Sequence, residues 1–170
     1  MTALVFVDTN VLVYARDAGE ATKQRLAMTW LDQLWRERTG RTSVEVLSEY
    51  FVTVTRKLRP GLRADDAWED VAALFAWRPC AIDPELMRRA YEIANRHGLS
   101  WWDSLVVSAV ERQDCALLLT EDLQDGGIYG SVTARSPFTL ALGEPATPYR
   151  VDRAVARRHP ARGRPMRGPP

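Results

Sequence analysis

Leu4-Val5-Phe6-Val7-Asp8-Thr9-Asn10 carries four apolar residues straight into a carboxylate. A short, β-branched apolar run of this kind reads as a strand buried on both faces, the signature of a parallel sheet. Cys115-Ala116-Leu117-Leu118-Leu119 repeats the pattern late in the chain, and Thr120-Glu121-Asp122 follows it. Between the two, helical spacing dominates. Leu26, Ala27, Trp30, Leu31, Leu34 and Trp35 recur every three or four residues over 21–38 and predict an amphipathic helix stopped by Gly40. Arg41-Thr42-Ser43 is a short strand at most. A helix then runs through Val44, Leu47, Phe51 and Val54 as far as Pro60-Gly61. Trp68, Val71, Ala72 and Phe75 mark another, with Asp65-Asp66 suited to its first turn. Residues 78–82 form a candidate strand. Pro84 opens a helix that ends at His97-Gly98, and Ser100 precedes a last helix over 102–113. Strands alternating with helices of this length predict an α/β fold, a central parallel sheet with helices on both faces. The chain shows no internal repeat.

At 170 residues and 19.2 kDa, with 46% apolar and 26% charged residues, the composition is that of one globular domain. No apolar run approaches the ~18 residues of a membrane span, and no signal-peptide pattern is present, so a cytoplasmic protein is expected. Cys80 and Cys115 stand far apart, which argues against a disulfide framework or a structural zinc site. His97 and His159 are the only histidines, too few for a histidine-built metal centre and poorly suited to a Ser-His-Asp hydrolase. The net charge of +1 hides an asymmetry. Residues 144–170 hold seven arginines against two acids, and six of the ten prolines, leaving −4 over 1–143. The expected organisation is a domain over 1–143 and an Arg/Pro-rich, disordered tail over 144–170, with contact to polyanions such as RNA open to it.

Ligands of open α/β sheets sit beyond the carboxyl ends of the strands. Both apolar strands deliver an acid there, Asp8 from the first and Asp122 from the late one. Two more acids stand among apolar residues: Asp103 in Trp101-Trp102-Asp103-Ser104-Leu105 and Glu49 in Val46-Leu47-Ser48-Glu49-Tyr50-Phe51. Carboxylates gathered in a partly dry site oppose one another's ionisation, and a hard divalent cation relieves this. Taken singly, each acid also fits a plainer role: a helix cap or turn former for the strand-end acids, a first-turn residue for Asp103, a solvated face for Glu49. Arg56, Lys57, Arg59 and Arg63 cluster near Pro60 and fit either a guide for an RNA backbone or a solvated loop. Trp101-Trp102 read as anchors of the Asp103 helix, and the Leu26/Trp30/Leu34 stripe as core.

Four stretches in this order, Val7-Asp8-Thr9-Asn10-Val11-Leu12, Ser43-Val44-Glu45-Val46-Leu47-Ser48-Glu49-Tyr50, Trp102-Asp103-Ser104-Leu105 and Leu119-Thr120-Glu121-Asp122-Leu123, resemble a PIN-domain ribonuclease and, more narrowly, the VapC toxins of VapBC toxin–antitoxin pairs. The likeness spans roughly 4–142, with Ser136-Pro137-Phe138 in the place of the family's short closing strand. It implies a three-layer α/β/α sandwich and a Mg²⁺- or Mn²⁺-dependent endoribonuclease. It also implies an acidic quartet of Asp8, Glu49, Asp103 and Asp122, supported by the polar residues Asn10 and Thr120. Asp8, Asp103 and Asp122 are the expected metal ligands. RNA substrate, a cognate antitoxin that packs into a groove, and a homodimer are the implied partners. Glu45, one turn before Glu49, competes with it for the site, and Asp125 reads as a turn residue rather than an extra acid. The Arg-rich tail has no counterpart in the resemblance.

Other classes fit less well. A receiver-type signalling domain needs a lysine at a late strand end, and Lys23 and Lys57 are poorly placed for it. A HAD-type phosphatase needs an acid two residues after Asp8, where Asn10 stands. A housekeeping RNA-processing PIN nuclease and a catalytically silent RNA-binding PIN domain remain as alternatives.

Overall fold

The computed structural model describes residues 3–142. These residues fall within the domain expected over 1–143, and the tail expected over 144–170 lies outside the described residues. Five strands, β1 (Val5–Val7), β2 (Gly40–Arg41), β3 (Leu117–Leu119), β4 (Ile128–Tyr129) and β5 (Val132–Arg135), form one sheet in the order β2-β1-β3-β5-β4. β1 pairs in parallel with β2 and β3, and β3 in parallel with β5, while β4 closes the edge antiparallel to β5. Helices α1 (Thr9–Tyr14), α2 (Ala21–Glu37), α3 (Val44–Val52), α4 (Ala64–Leu74), α5 (Pro84–His97) and α6 (Trp101–Arg112) flank it. The α/β architecture expected from the alternating pattern is present, with one antiparallel edge strand added.

The apolar runs are buried for the reason their composition implies. Phe6, Val7, Leu118 and Leu119 have no exposed surface, because covered parallel strands show neither face to water. α6 is buried continuously from Ser104 to Val110, and it lies against β3 and β5 with α5 packed on it. Ser100 caps α6 through the Asp103 N–H at 3.1 Å, and Asp83 caps α5 through the Leu86 N–H at 2.8 Å. Trp30 and Leu34 are core residues, as their stripe predicts, and the Trp30 indole donates to the Pro137 carbonyl at 3.0 Å, tying α2 to the end of the domain.

Four expectations need correction. Helix α2 ends because Arg38 turns left-handed at φ 58°, before Gly40 is reached. Gly40 lies in β2, and a Cβ there would stand 2.5 Å from the Trp77 indole, so the glycine serves the packing of a buried tryptophan. Residues 78–82 contribute a single bridge, Ser43 to Cys80, in place of a strand, because left-handed Arg78 (φ 53°) and Pro79, which lacks an N–H, interrupt the ladder. The closing strand is Val132–Arg135, upstream of Ser136-Pro137-Phe138. The helix through Val54 ends sooner than Pro60: after Val52 the backbone widens into a π-turn, Thr53–Lys57, in which the Leu58 N–H reaches back to the Thr53 carbonyl at 3.0 Å.

Candidate active site

β1 and β3 are adjacent and in register, with Val7 opposite Leu119, so the next residue of each leaves the sheet at the same level. Those residues are Asp8 and Thr120. Strand order reverses between them, since the chain places β2 on one side of β1 and β3 on the other, and open α/β sheets have a crevice at such a point. The Asp8 N–H holds the Leu119 carbonyl at 3.1 Å, which fixes the backbone. Its carboxylate, 2% exposed, accepts from Thr120 Oγ1 at 2.6 Å, from the Thr9 N–H at 2.7 Å and from Asn10 Nδ2 at 3.3 Å. Asn10 Nδ2 also approaches Thr120 Oγ1 at 3.2 Å, and Asn10 Oδ1 accepts the Glu121 N–H at 3.2 Å. The Asp122 N–H donates to Thr120 Oγ1 at 3.1 Å. Residues 8 and 10 are thus laced to residues 120 and 121 across more than a hundred positions of sequence, and Asp122 joins them through Thr120.

The other two acids are held differently. Glu49 Oε2 accepts from Thr9 Oγ1 at 3.0 Å, which places it one residue from Asp8. Asp103 Oδ2 accepts from Ser100 Oγ at 2.7 Å in the first turn of α6. A cleft of about 300 Å³ opens here, lined by Asn10, Tyr14, Asp17, Glu49, Thr53, Lys57 and Asp122 among others. Asp8, Thr120, Asp103 and Glu45 are not in its lining, so of the three expected metal ligands Asp122 alone faces the cleft. Asp103 bears instead on Tyr129 of the edge strand β4, whose phenol is pushed up by burial, with a smaller upward push from the Asp103 charge. Asp125 serves the scaffold. It accepts from the Ser136 N–H at 2.9 Å, Thr139 Oγ1 at 2.9 Å and Arg135 Nε at 3.0 Å. Burial pushes its carboxyl up, but these donors outweigh burial and hold it below the usual carboxylate range.

The donor chemistry at the cleft is that of a hard cation: carboxylate, amide and hydroxyl oxygens, without thiolate or imidazole. The expected ligand set of Asp8, Asp103 and Asp122 is not drawn into one shell, however. Among the described residues no three His, Cys, Asp or Glu side chains are placed to hold an ion together. Asp8, Glu49 and Asp103 each take a hydrogen bond from a different hydroxyl instead, those of Thr120, Thr9 and Ser100.

Sequence reasoning passed over Thr9 and Ser100 in this role, and a neighbouring cluster as well. Lys23 of α2 pairs with the Glu121 carboxylate, donates to Tyr14 Oη at 3.1 Å and stands 4.5 Å from the Tyr14 ring centroid. Burial lowers its ammonium, but the Glu121 and Tyr14 hydrogen bonds outweigh burial and raise it. A larger groove of about 460 Å³ lies elsewhere, between α3 and α4, lined by Val44, Leu47, Phe51, Trp68 and Phe75; it holds none of the expected acids.

Fold and site together define the class: an α/β/α domain that gathers acids at the switch point of a mostly parallel sheet. Residues 5–124 match the family model of the PIN domain, and the chain belongs to that family. Its fold is shared with the crystal structure of Mycobacterium tuberculosis VapC20, a Sarcin-Ricin loop cleaving toxin, at a TM-score of 0.52 and 24% identity. That likeness covers 67% of this chain and 86% of the other. No curated protein matches the sequence. Among the described residues no helix is long and apolar enough to cross a membrane.

Proposed function

We propose that this PIN domain is a divalent-metal-dependent endoribonuclease that acts as the toxin of a toxin–antitoxin pair. The observation that carries the reading is the buried Asp8 carboxylate, fixed by Thr120 and Asn10 beside Asp122 at the carboxyl ends of β1 and β3. Asp8, Asp103 and Asp122 would hold Mg²⁺ or Mn²⁺. When bound, the ion would supply Lewis acidity at the scissile phosphate. Asn10 and Thr120 orient the carboxylates. Glu49, on the cleft wall, aligns the attacking water and takes its proton. Attack by water leaves 5′-phosphate and 3′-hydroxyl ends and needs no 2′-hydroxyl nucleophile.

The apolar groove between α3 and α4 supports a protein partner, either the antitoxin or a second copy of this chain, since contiguous exposed apolar surface marks interaction sites. A toxin that cuts cellular RNA would work in the cytoplasm. The test compares wild type and Asp8→Asn on RNA, each with Mg²⁺ and with excess chelator. Cleavage by wild type with Mg²⁺ alone is expected; equal cleavage in all four samples refutes the reading. If RNA is bound but never cut, the silent RNA-binding alternative replaces it.

A further inference from the structure

The cleft is acidic, yet its proposed substrate is a polyanion, and something must draw the phosphate backbone in. Glu49, Thr53 and Lys57 follow one another at four-residue spacing along α3 and the π-turn, and all three line the cleft. That spacing is the ordinary repeat of one helix face, and the π-turn continues it past Val52: Val54 stays fully buried while Thr53 and Lys57 line the cleft, and π-turns are frequent at functional sites. Among the described residues lining the cleft Lys57 is the single basic one, and it makes no hydrogen bond or ion pair within them. Arg56 and Arg59 stand beside it in sequence, exposed to solvent. Arg59 Nη1 bonds the Arg56 and Leu58 carbonyls at 2.9 Å each, which folds this basic corner onto itself.

An unpaired ammonium on the wall of a cleft otherwise lined by Asp17, Glu49 and Asp122 has a clear electrostatic partner in a phosphodiester. We infer that Lys57, backed by Arg56 and Arg59, is a phosphate-binding subsite that seats the RNA backbone next to the cleavage position. The inference rests on the nuclease reading for its substrate, but not for its charge chemistry. Lys57 is a substrate-binding residue. Its contact is made alike in the bound substrate and in the transition state, so its loss raises KM and leaves kcat nearly unchanged.

The test uses the full chain carrying Asp8→Asn, so that RNA stays intact, and a short fluorescent single-stranded RNA as probe. Lys57→Gln in that background weakens binding roughly fivefold at low salt and flattens the dependence of log K on log salt by about 0.7, the value of one phosphate contact on a single strand. Lys57→Arg restores both. Arg88→Gln, the same charge change on α5 outside the cleft lining, alters the affinity slightly and the restored binding not at all. In the cleaving protein, Lys57→Gln raises KM about fivefold with kcat within about twofold. An unchanged salt slope, or a loss equal to that of Arg88→Gln, overturns the subsite even if wild type cuts RNA. A flattened slope in a protein that never cuts RNA keeps the subsite and removes the nuclease reading.

Discussion

At the scale of the residue, the Thr120 hydroxyl has its full complement of partners: it donates to Asp8 and accepts from Asn10 Nδ2 and the Asp122 N–H. Thr120→Val keeps the shape and removes all three bonds, leaving a buried carboxylate without its shortest donor. The expected cost is about 2 kcal/mol, read as a lower urea midpoint with unchanged slope, while Thr120→Ser stays within about 1 kcal/mol of wild type. A Val variant as stable as Ser would mean that Asp8 is held by other groups. Lys23 offers a second case, because it restrains Glu121, whose N–H meets Asn10. Lys23→Met should lower RNA cleavage several-fold, and adding Glu121→Gln should recover part of it. Their double-mutant coupling is expected at about 1 kcal/mol or less for so exposed a pair. Strict additivity would show that the two do not act as a unit. Asp8 and Thr120 were legible in the sequence because each directly follows an apolar strand. The tie of Glu49 to Thr9 was not, since it depends on how helices pack, which spacing does not encode; that of Asp103 to Ser100 had its signal in Ser100-Trp101-Trp102-Asp103, the spacing of a capping box.

At the scale of the element, α5 and α6 are joined by Asp83, which caps α5 and pairs with Arg112 of α6 at 2.7 Å. The Arg112 hydrogen bond, helped by the Leu86 N–H, holds the Asp83 carboxyl down at about 2. A carboxyl lowered by folding stabilises above its unfolded value, near 3.9, and loses that contribution as pH falls toward the folded value. Wild type should therefore exceed Asp83→Asn in urea midpoint at pH 5, and the gap should shrink from about pH 4 to pH 2. A gap that stays constant or widens over that window would remove Asp83 from the acid sensitivity. The two strongest apolar strands and the ends of α5 and α6 were readable from periodicity and from Pro84, Gly98 and Ser100. The β4–β5 hairpin was missed although its signal is present: Gly130-Ser131 sits between Ile128-Tyr129 and Val132, and Gly130 takes φ 65°. The family likeness drew the closing strand to 136–138, a segment that Asp125 instead clasps from outside the sheet.

At the scale of the whole molecule, the order β2-β1-β3-β5-β4 turns two distant strand ends into one surface. Parallel pairing of β1 with β3 requires crossovers, and the crossover helices supply what the strands lack: Glu49 from α3, Asp103 from α6 and Lys57 from the turn beyond α3. That both strands deliver an acid to the same edge of the sheet was legible from their apolar runs; that they are neighbours, and how closely the acids approach, was not, because long-range packing sets it. Asp8 and Asp103 are tied to different hydroxyls and no three acids of the described residues form one shell, so a cation that drew Asp8, Asp103 and Asp122 together should be registered by the whole fold. A ligand that binds only the folded state raises stability as its concentration exceeds its dissociation constant. Mg²⁺ or Mn²⁺ at about a hundredfold excess over that constant should therefore stabilise wild type by about 2.7 kcal/mol, seen as a rise in Tm, whereas Ca²⁺-free chelator buffer returns the original value. Asp8→Asn should show little of the rise, because it removes a proposed ligand, and Asp125→Asn should keep it, because its carboxylate serves the scaffold. An equal rise in Asp8→Asn would place the ion elsewhere and separate the cation from the Asp8–Thr120 network.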